Sequence, residues 1–206
     1  MSSSVTQLQS ELGSIDVYLL DQVLRGRIQP GARILDAGSG GGRNLGWFLG
    51  AGFDVSALDP NPEALAAVRA LADSRARVLA PEATRLETLE AHTFDDAAFD
   101  LVIVNAVLHF AANDAHFSAM LDGAWRAVAS GGLFFARLAT SIGLSGHRPL
   151  GDGRYLLPDG STRFLVDEAR LLAETERLGA LQLDPIKTTN VQGMRCMTTW
   201  VLSKPA

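Results

Sequence analysis

The chain has a single cysteine, Cys196, among 206 residues. That count excludes an intramolecular disulfide and a cysteine-rich metal site, and no metal is expected. A basic patch is also missing: no Lys/Arg cluster stands out, the net charge is -5 and the pI is near 5.3. A broad nucleic-acid footprint needs the opposite balance, so no nucleic-acid partner is expected. The longest apolar run, Leu101 to Ala112, is broken by Asn105 and His109 and is too short to span a bilayer. Met1 to Gly13 is Ser/Gln-rich and lacks the basic start and apolar segment of a signal peptide. A cytoplasmic protein without membrane association is the expectation. No internal repeat or long linker divides the chain, which points to one domain over 1–206 with a frayed start at 1–13.

What is present is a composition that folds. Hydrophobic residues make up 47% and charged residues 20%, and a chain of this length buries a substantial core without covalent staples. Helical spacing over 14–26 precedes a short apolar strand at 33–36. A helix to Gly50 or Gly52, a strand at 53–58 and a helix from Asn61-Pro62-Glu63 to Ala72 follow. A short strand at 76–79, a helical stretch to Ala91, a strong strand at 99–104, a helix at 114–129 and a strand at 133–138 come next. Five alternations specify a parallel sheet with helices on both faces. Such sheets bind ligands at the carboxyl ends of their strands. The stretch 140–162 differs: it is long and Gly-rich, holds His147, Arg148, Arg154 and Tyr155, and reads as a lid. A helix over 167–178 and a hairpin of strands at 181–189 and 195–203 close the chain.

The most informative stretch is Arg33 to Asn44. Ile34 and Leu35 lead to Asp36, and Gly38, Gly40 and Gly42 then precede a helical segment. Strand, glycine turn and helix start together form a nucleotide-binding device, because glycines admit positive φ and helix starts expose N–H groups. The dinucleotide fingerprint G-x-G-x-x-G does not fit, since Arg43 stands at the third glycine position. Asp36, just before the glycines, repels a pyrophosphate and suits a ligand of positive local charge. S-adenosylmethionine (SAM), with a sulfonium and an α-ammonium, meets that condition. Here the sequence resembles the class I SAM-dependent methyltransferases, and Arg43-Asn44 resembles the tellurite-resistance methyltransferases and similar small-molecule enzymes. The resemblance spans Ser14 to Lys204.

The resemblance implies a Rossmann-like, mostly parallel seven-stranded sheet with a C-terminal antiparallel hairpin, the last strand entering between the fifth and sixth. It implies SAM as cofactor, S-adenosylhomocysteine as product, and a small-molecule methyl acceptor; the protein is read as a monomer or homodimer. Asp36, Gly38, Ser39 and Gly40 then form the cofactor turn, and Arg43 pairs with the methionine carboxylate, while Asn44 joins it or caps the helix. Asp59, followed by Pro60, takes both ribose hydroxyls. Glu82 and Ala83 meet the adenine edge, and Asn105 and Ala106 the methionine portion. His109 is the candidate catalytic base, with a packing role as the alternative. Arg137 holds an anionic substrate group or pairs with a structural acid; Tyr18, His147 and Tyr155 are the other substrate candidates. A nicotinamide oxidoreductase and a non-catalytic SAM-binding protein remain as competing readings.

Overall fold

The computed structural model describes residues 4–206. Of the stretch expected to fray, residues 1–3 lie outside the described residues, and Ser4–Leu12 forms an exposed helix, α1. Arg75 anchors it by donating to the Ser10 carbonyl at 2.6 Å. Helix α2, Val17–Leu24, is N-capped by Asp16, whose carboxylate accepts the Tyr18 N–H. Strand β1, Arg33–Ala37, runs through the glycine turn into α3, Gly46–Ala51, which ends on Gly52 in the left-handed region. Strand β2 is Asp54–Leu58. Helix α4, Pro62–Ser74, starts as its terminus signals predict, with the Asn61 side chain accepting the Glu63 N–H and Pro62 at the first position.

The next segment departs from expectation. No strand forms at 76–79, because Ala76 turns left-handed (φ +55°) directly after α4 and Val78 is exposed. Strand β3 is instead Thr84–Arg85, paired with Ala57 and Leu58 of β2. The helix expected up to Ala91 is reduced to a single 3₁₀ turn at Leu89–Ala91. Strand β4, Phe99–Asn105, helix α5, Asp114–Ala127, and strand β5, Val128–Ala139, complete the alternating half.

The stretch expected to be a lid has structure of its own. Strands β6, Arg148–Gly151, β7, Arg154–Leu156, and β8, Thr162–Phe164, make a separate antiparallel sheet. Phe164 stacks on Phe117 of α5 with centroids 5.2 Å apart, which pins the lid to the core. Gly153 allows this: a Cβ there would stand 2.3 Å from the Phe164 ring. Helix α6, Glu168–Arg177, and strands β9, Leu181–Gln182, β10, Lys187–Val191, and β11, Arg195–Ser203, finish the chain.

The main sheet has the order β10-β11-β5-β4-β1-β2-β3, with the short β9 also on β11. Strands β3, β2, β1, β4 and β5 are mutually parallel, and β11 is antiparallel between β5 and β10. This is the expected Rossmann-like sheet of seven strands plus a two-residue eighth. Its central strands are buried on both faces. Leu35, Val102, Val104 and Phe134 pack toward α5, while Ile34, Leu101, Ile103 and Phe135 pack toward α2, α3 and α4. Successive strand residues face opposite sides, so Asp36, Asn105 and Arg137 continue the second series. The register agrees, pairing Asp36 with Ile103 and Asn105 with Arg137. Three polar residues thus leave one face at the carboxyl edge, where the sheet opens.

Candidate active site

The glycine turn is held from below and open from above. Gly38, Gly40 and Gly42 all take positive φ. A Cβ on Gly38 would lie 2.5 Å from Val107, whereas one on Gly40 would meet nothing within 4 Å. The N–H groups of Gly38 and Ser39 donate to the Leu58 carbonyl at 2.8 and 3.1 Å. Asp59, at the end of β2, closes the turn: its Oδ2 accepts the Gly40 N–H and its Oδ1 the Asn61 N–H, both at 2.9 Å. Pro60 follows on the rim. Gly38, Gly40, Leu58, Asp59 and Pro60 wall a cavity of ≈ 470 Å³ that Thr88, Leu89, Glu90 and Val107 also line. Glu82 and Ala83 are not on that wall. They sit in a 3₁₀ turn before β3, with Glu82 exposed and Ala83 facing another depression beside Phe53. After β3, the segment that meets the cavity is 88–90, where Glu90 is the acidic residue on the wall.

Beside the turn lies a buried polar cluster. Asp36 is 1% exposed, its Oδ2 has no partner, and burial pushes its carboxyl up to about 7, with Arg43 opposing and Asp59 adding to the shift. Asn105 accepts from Arg43 Nη2 at 3.2 Å while its own Nδ2 is buried without a partner. One orphaned acceptor and one orphaned donor therefore sit on neighbouring strands, with a guanidinium between them. Buried polar atoms in native folds are normally paired. An α-amino acid group, one ammonium and one carboxylate, satisfies both. Ser39 is buried in the turn. Asn44 does not cap α3; its Oδ1 accepts the Asp16 N–H at 3.1 Å and ties the turn to α2. Asp16 in turn takes Arg137 at 2.7 Å, so the structural acid offered as one reading of Arg137 exists.

A second cavity, ≈ 330 Å³, adjoins the first, with Ala106 and Phe110 on the walls of both. His109 lines it but is 5% exposed overall. Its Nδ1 accepts the Ala139 N–H at 3.0 Å, so the neutral ring carries its proton on Nε2. Burial, assisted by Arg163 and Arg195, pushes its pKa down to about 4. A ring in that state donates a hydrogen bond and has no free lone pair for a proton. Arg137 is on this wall too. Tyr18 is not: its hydroxyl lies 2.7 Å from Thr189 Oγ1, and its ring lies beneath Arg137 and Lys187. His147 and Tyr155 pack edge-on to each other, 5.1 Å apart, also away from the wall. The lid contributes Leu157, Asp159, Ser161 and Arg163 instead, and β11 contributes Arg195 and Met197. Leu157, Asp159 and Ser161 lie in the turn between β7 and β8, and Arg163 in a strand of three residues, where periodicity carries no signal.

This strand order and this glycine-turn site define the class I methyltransferase fold. Within it, residues 35–136 match the family described as a methyltransferase domain. Over 108 residues the chain is 32% identical to an uncharacterized methyltransferase of a Synechocystis strain, covering 52% of this chain. It spans 47% of that relative's length, less than half. Among solved structures, the Burkholderia thailandensis 1,6-didemethyltoxoflavin-N1-methyltransferase superposes with TM-score 0.68 at 18% identity, covering 98% of this chain and 82% of that one. TehB from Haemophilus influenzae superposes with TM-score 0.69 at 19% identity, over 93% of this chain and 63% of that one. Among the described residues, no helix is long and apolar enough to cross a membrane.

Proposed function

We propose that the protein binds SAM in the glycine-turn cavity and moves its methyl group to a small-molecule acceptor in the adjoining cavity. The observation that carries this reading is Asp59 locked onto the Gly40 N–H, beside the unpartnered buried carboxylate of Asp36. When bound, the cofactor supplies a methyl group already activated on a sulfonium. Asp59 keeps lone pairs for ribose hydroxyls, Asp36 meets the α-ammonium, and Arg43 with Asn105 Nδ2 takes the carboxylate. Ala106, on the wall of both cavities, marks where donor and acceptor approach. The Burkholderia neighbour supports the arrangement, since its structure holds S-adenosylhomocysteine together with 1,6-didemethyltoxoflavin.

Holding an acceptor in line with the departing thioether provides roughly 7–11 kcal/mol of barrier reduction by positioning alone. His109 serves as a hydrogen-bond donor from Nε2 in this scheme, because its Nδ1 is occupied by Ala139. Thermal shift with SAM, S-adenosylhomocysteine, NAD and NADP tests the assignment. Ligand at about 100 times its Kd adds roughly 2.7 kcal/mol, which raises Tm by several degrees in a protein of this size. The adenosyl ligands are expected to stabilise and the nicotinamides not; stabilisation by NAD alone sinks the proposal. Asp59→Ala should abolish the SAM shift while leaving a cooperative melt.

A further inference from the structure

The second cavity has an unbalanced wall. Four guanidinium groups, Arg43, Arg137, Arg163 and Arg195, line it against one carboxylate, Asp159. Two of the four are accounted for. Arg137 is held by Asp16 at 2.7 Å, and Arg43 reaches the same carboxylate at 3.9 Å and Asn105 at 3.2 Å. The other two have no hydrogen bond to a carboxylate or side-chain amide. Arg163 has no carboxylate within ion-pair distance among the described residues; its Nη1 donates to the carbonyl of Thr162, and its guanidinium lies over the Phe110 ring at 4.9 Å. Arg195 comes no nearer than 3.9 Å to Asp159 Oδ2. The other Asp159 oxygen is already taken by the N–H and hydroxyl of Ser161.

The placement of these arginines is structural rather than incidental. Arg163 belongs to β8, which Phe164 fastens to α5. Arg195 opens β11, whose backbone pairs with β5 beside the site. Two cations from two different sheets therefore converge on a cavity that also presents His109 Nε2–H as a neutral donor. Guanidiniums without a close carboxylate over a concave, partly apolar wall favour an anion, which they bind with planar paired N–H groups. Met197 and Leu157 supply apolar surface for the remainder of such a ligand.

We infer that the methyl acceptor carries an oxyanionic group, a carboxylate or a phosphate, held by Arg163 and Arg195 with His109 as an additional donor. This rests on the methyltransferase reading for the word acceptor, and the anion site itself stands on the arginines alone. Arg43 and Arg137 are assigned elsewhere, to the cofactor's carboxylate and to Asp16.

The test uses benzoate and phenyl phosphate as probes, with benzamide as the neutral control, titrated at low salt into the protein with and without S-adenosylhomocysteine. Both anions are expected to bind and benzamide to bind at least tenfold more weakly. The tighter of the two anions distinguishes carboxylate from phosphate chemistry. Arg163→Met and Arg195→Met should each weaken the anions at least tenfold and leave SAM affinity unchanged. Arg163→Lys and Arg195→Lys should retain most of the binding, which separates lost charge from lost fold. Arg148→Met, in the exposed β6, should change nothing. Equal binding of benzamide and benzoate overturns the inference, as do methionine variants that bind like the parent. Displacement of the anions by S-adenosylhomocysteine overturns it too, because the pair would then serve the cofactor carboxylate. If SAM fails to bind while arginine-dependent anion binding persists, the cofactor reading falls and the anion site remains.

Discussion

Asp16 and Arg137, 121 positions apart, meet through Oδ2 and Nη1 at 2.7 Å, with the Asp16 side chain only 1% exposed. One residue is the N-cap of α2 and the other lies near the carboxyl end of β5, so this ion pair joins α2 to the sheet at the rim of the site. Arg137→Met removes the cation and leaves Asp16 buried. Breaking a buried pair from one side costs about 3–5 kcal/mol, softened here by Arg43 at 3.9 Å. Urea denaturation should show a loss of several kcal/mol, and Asp16→Asn, which keeps the cap, should lose less than Asp16→Ala.

Gly38 and Gly40 are predicted to fail in different ways. Both have positive φ, so alanine at either adds about 1–2 kcal/mol of backbone strain. Only at Gly38 does the new Cβ collide, 2.5 Å from Val107. Gly38→Ala should therefore be the less stable variant, and adding Val107→Ala should recover the collision but not the strain. Gly40→Ala should melt a few degrees below the parent, by its strain alone, yet lose SAM binding, because its Cβ fills the open face of the cavity. Paired melting curves with and without SAM read both effects.

Asp36 makes the protein and its ligand respond to pH in opposite senses. Its folded carboxyl is raised from 3.8 to about 7, so its contribution to stability is full below the unfolded value and is lost as pH rises through about 7. At roughly 1.4 kcal/mol per tenfold change in proton affinity, the swing is up to about 4 kcal/mol. Asp36→Asn should remove it, gaining on the parent between pH 4 and 7 in urea titrations. SAM affinity of the parent should rise with pH, up to about tenfold per pH unit below 7, because an α-ammonium favours the ionised carboxylate. A flat affinity profile for the parent excludes Asp36 as the ammonium partner.

His109 acts over the same range with the other sign. Its folded pKa is lowered from 6.5 to about 4, so its stabilisation is present above the unfolded value and is lost as pH falls through 6.5 toward 4. The displacement is worth about 3 kcal/mol. The two windows overlap and partly cancel in the parent, so the single variants expose what the parent conceals. His109→Gln should flatten the acid limb of the stability curve. The bound complex of His109→Gln should still transfer methyl groups with a pH profile parallel to the parent's; loss of a rate-limiting ionisation near neutrality would restore His109 as a base.

Much of the fold was legible because its signals are local. Asn61-Pro62-Glu63 starts α4 by hydrogen bonds within three residues, and the apolar run at 99–104 needs both faces buried whatever its neighbours. The third strand was misplaced because its true form is two residues held by pairing with β2, and two residues have no period to read. That slip pointed to Glu82 and Ala83, whereas the residues after β3 that line the glycine-turn cavity are Thr88, Leu89 and Glu90. Asn44 shows the same limit, since its partner is the backbone of Asp16, 28 residues away.

By itself the sequence determined the parallel sheet, the glycine turn after β1 and the acids at the carboxyl ends of β1 and β2, Asp36 and Asp59. These follow from backbone conformation and side-chain period, which are properties of contiguous residues. Only the tertiary structure decided that Asp16 takes Arg137, that Ala139 takes the His109 lone pair, and that Arg163 and Arg195 share one wall. Each of those depends on which distant backbone or charge arrives at a given side chain, and the lid sheet and the antiparallel β11 are what bring them there.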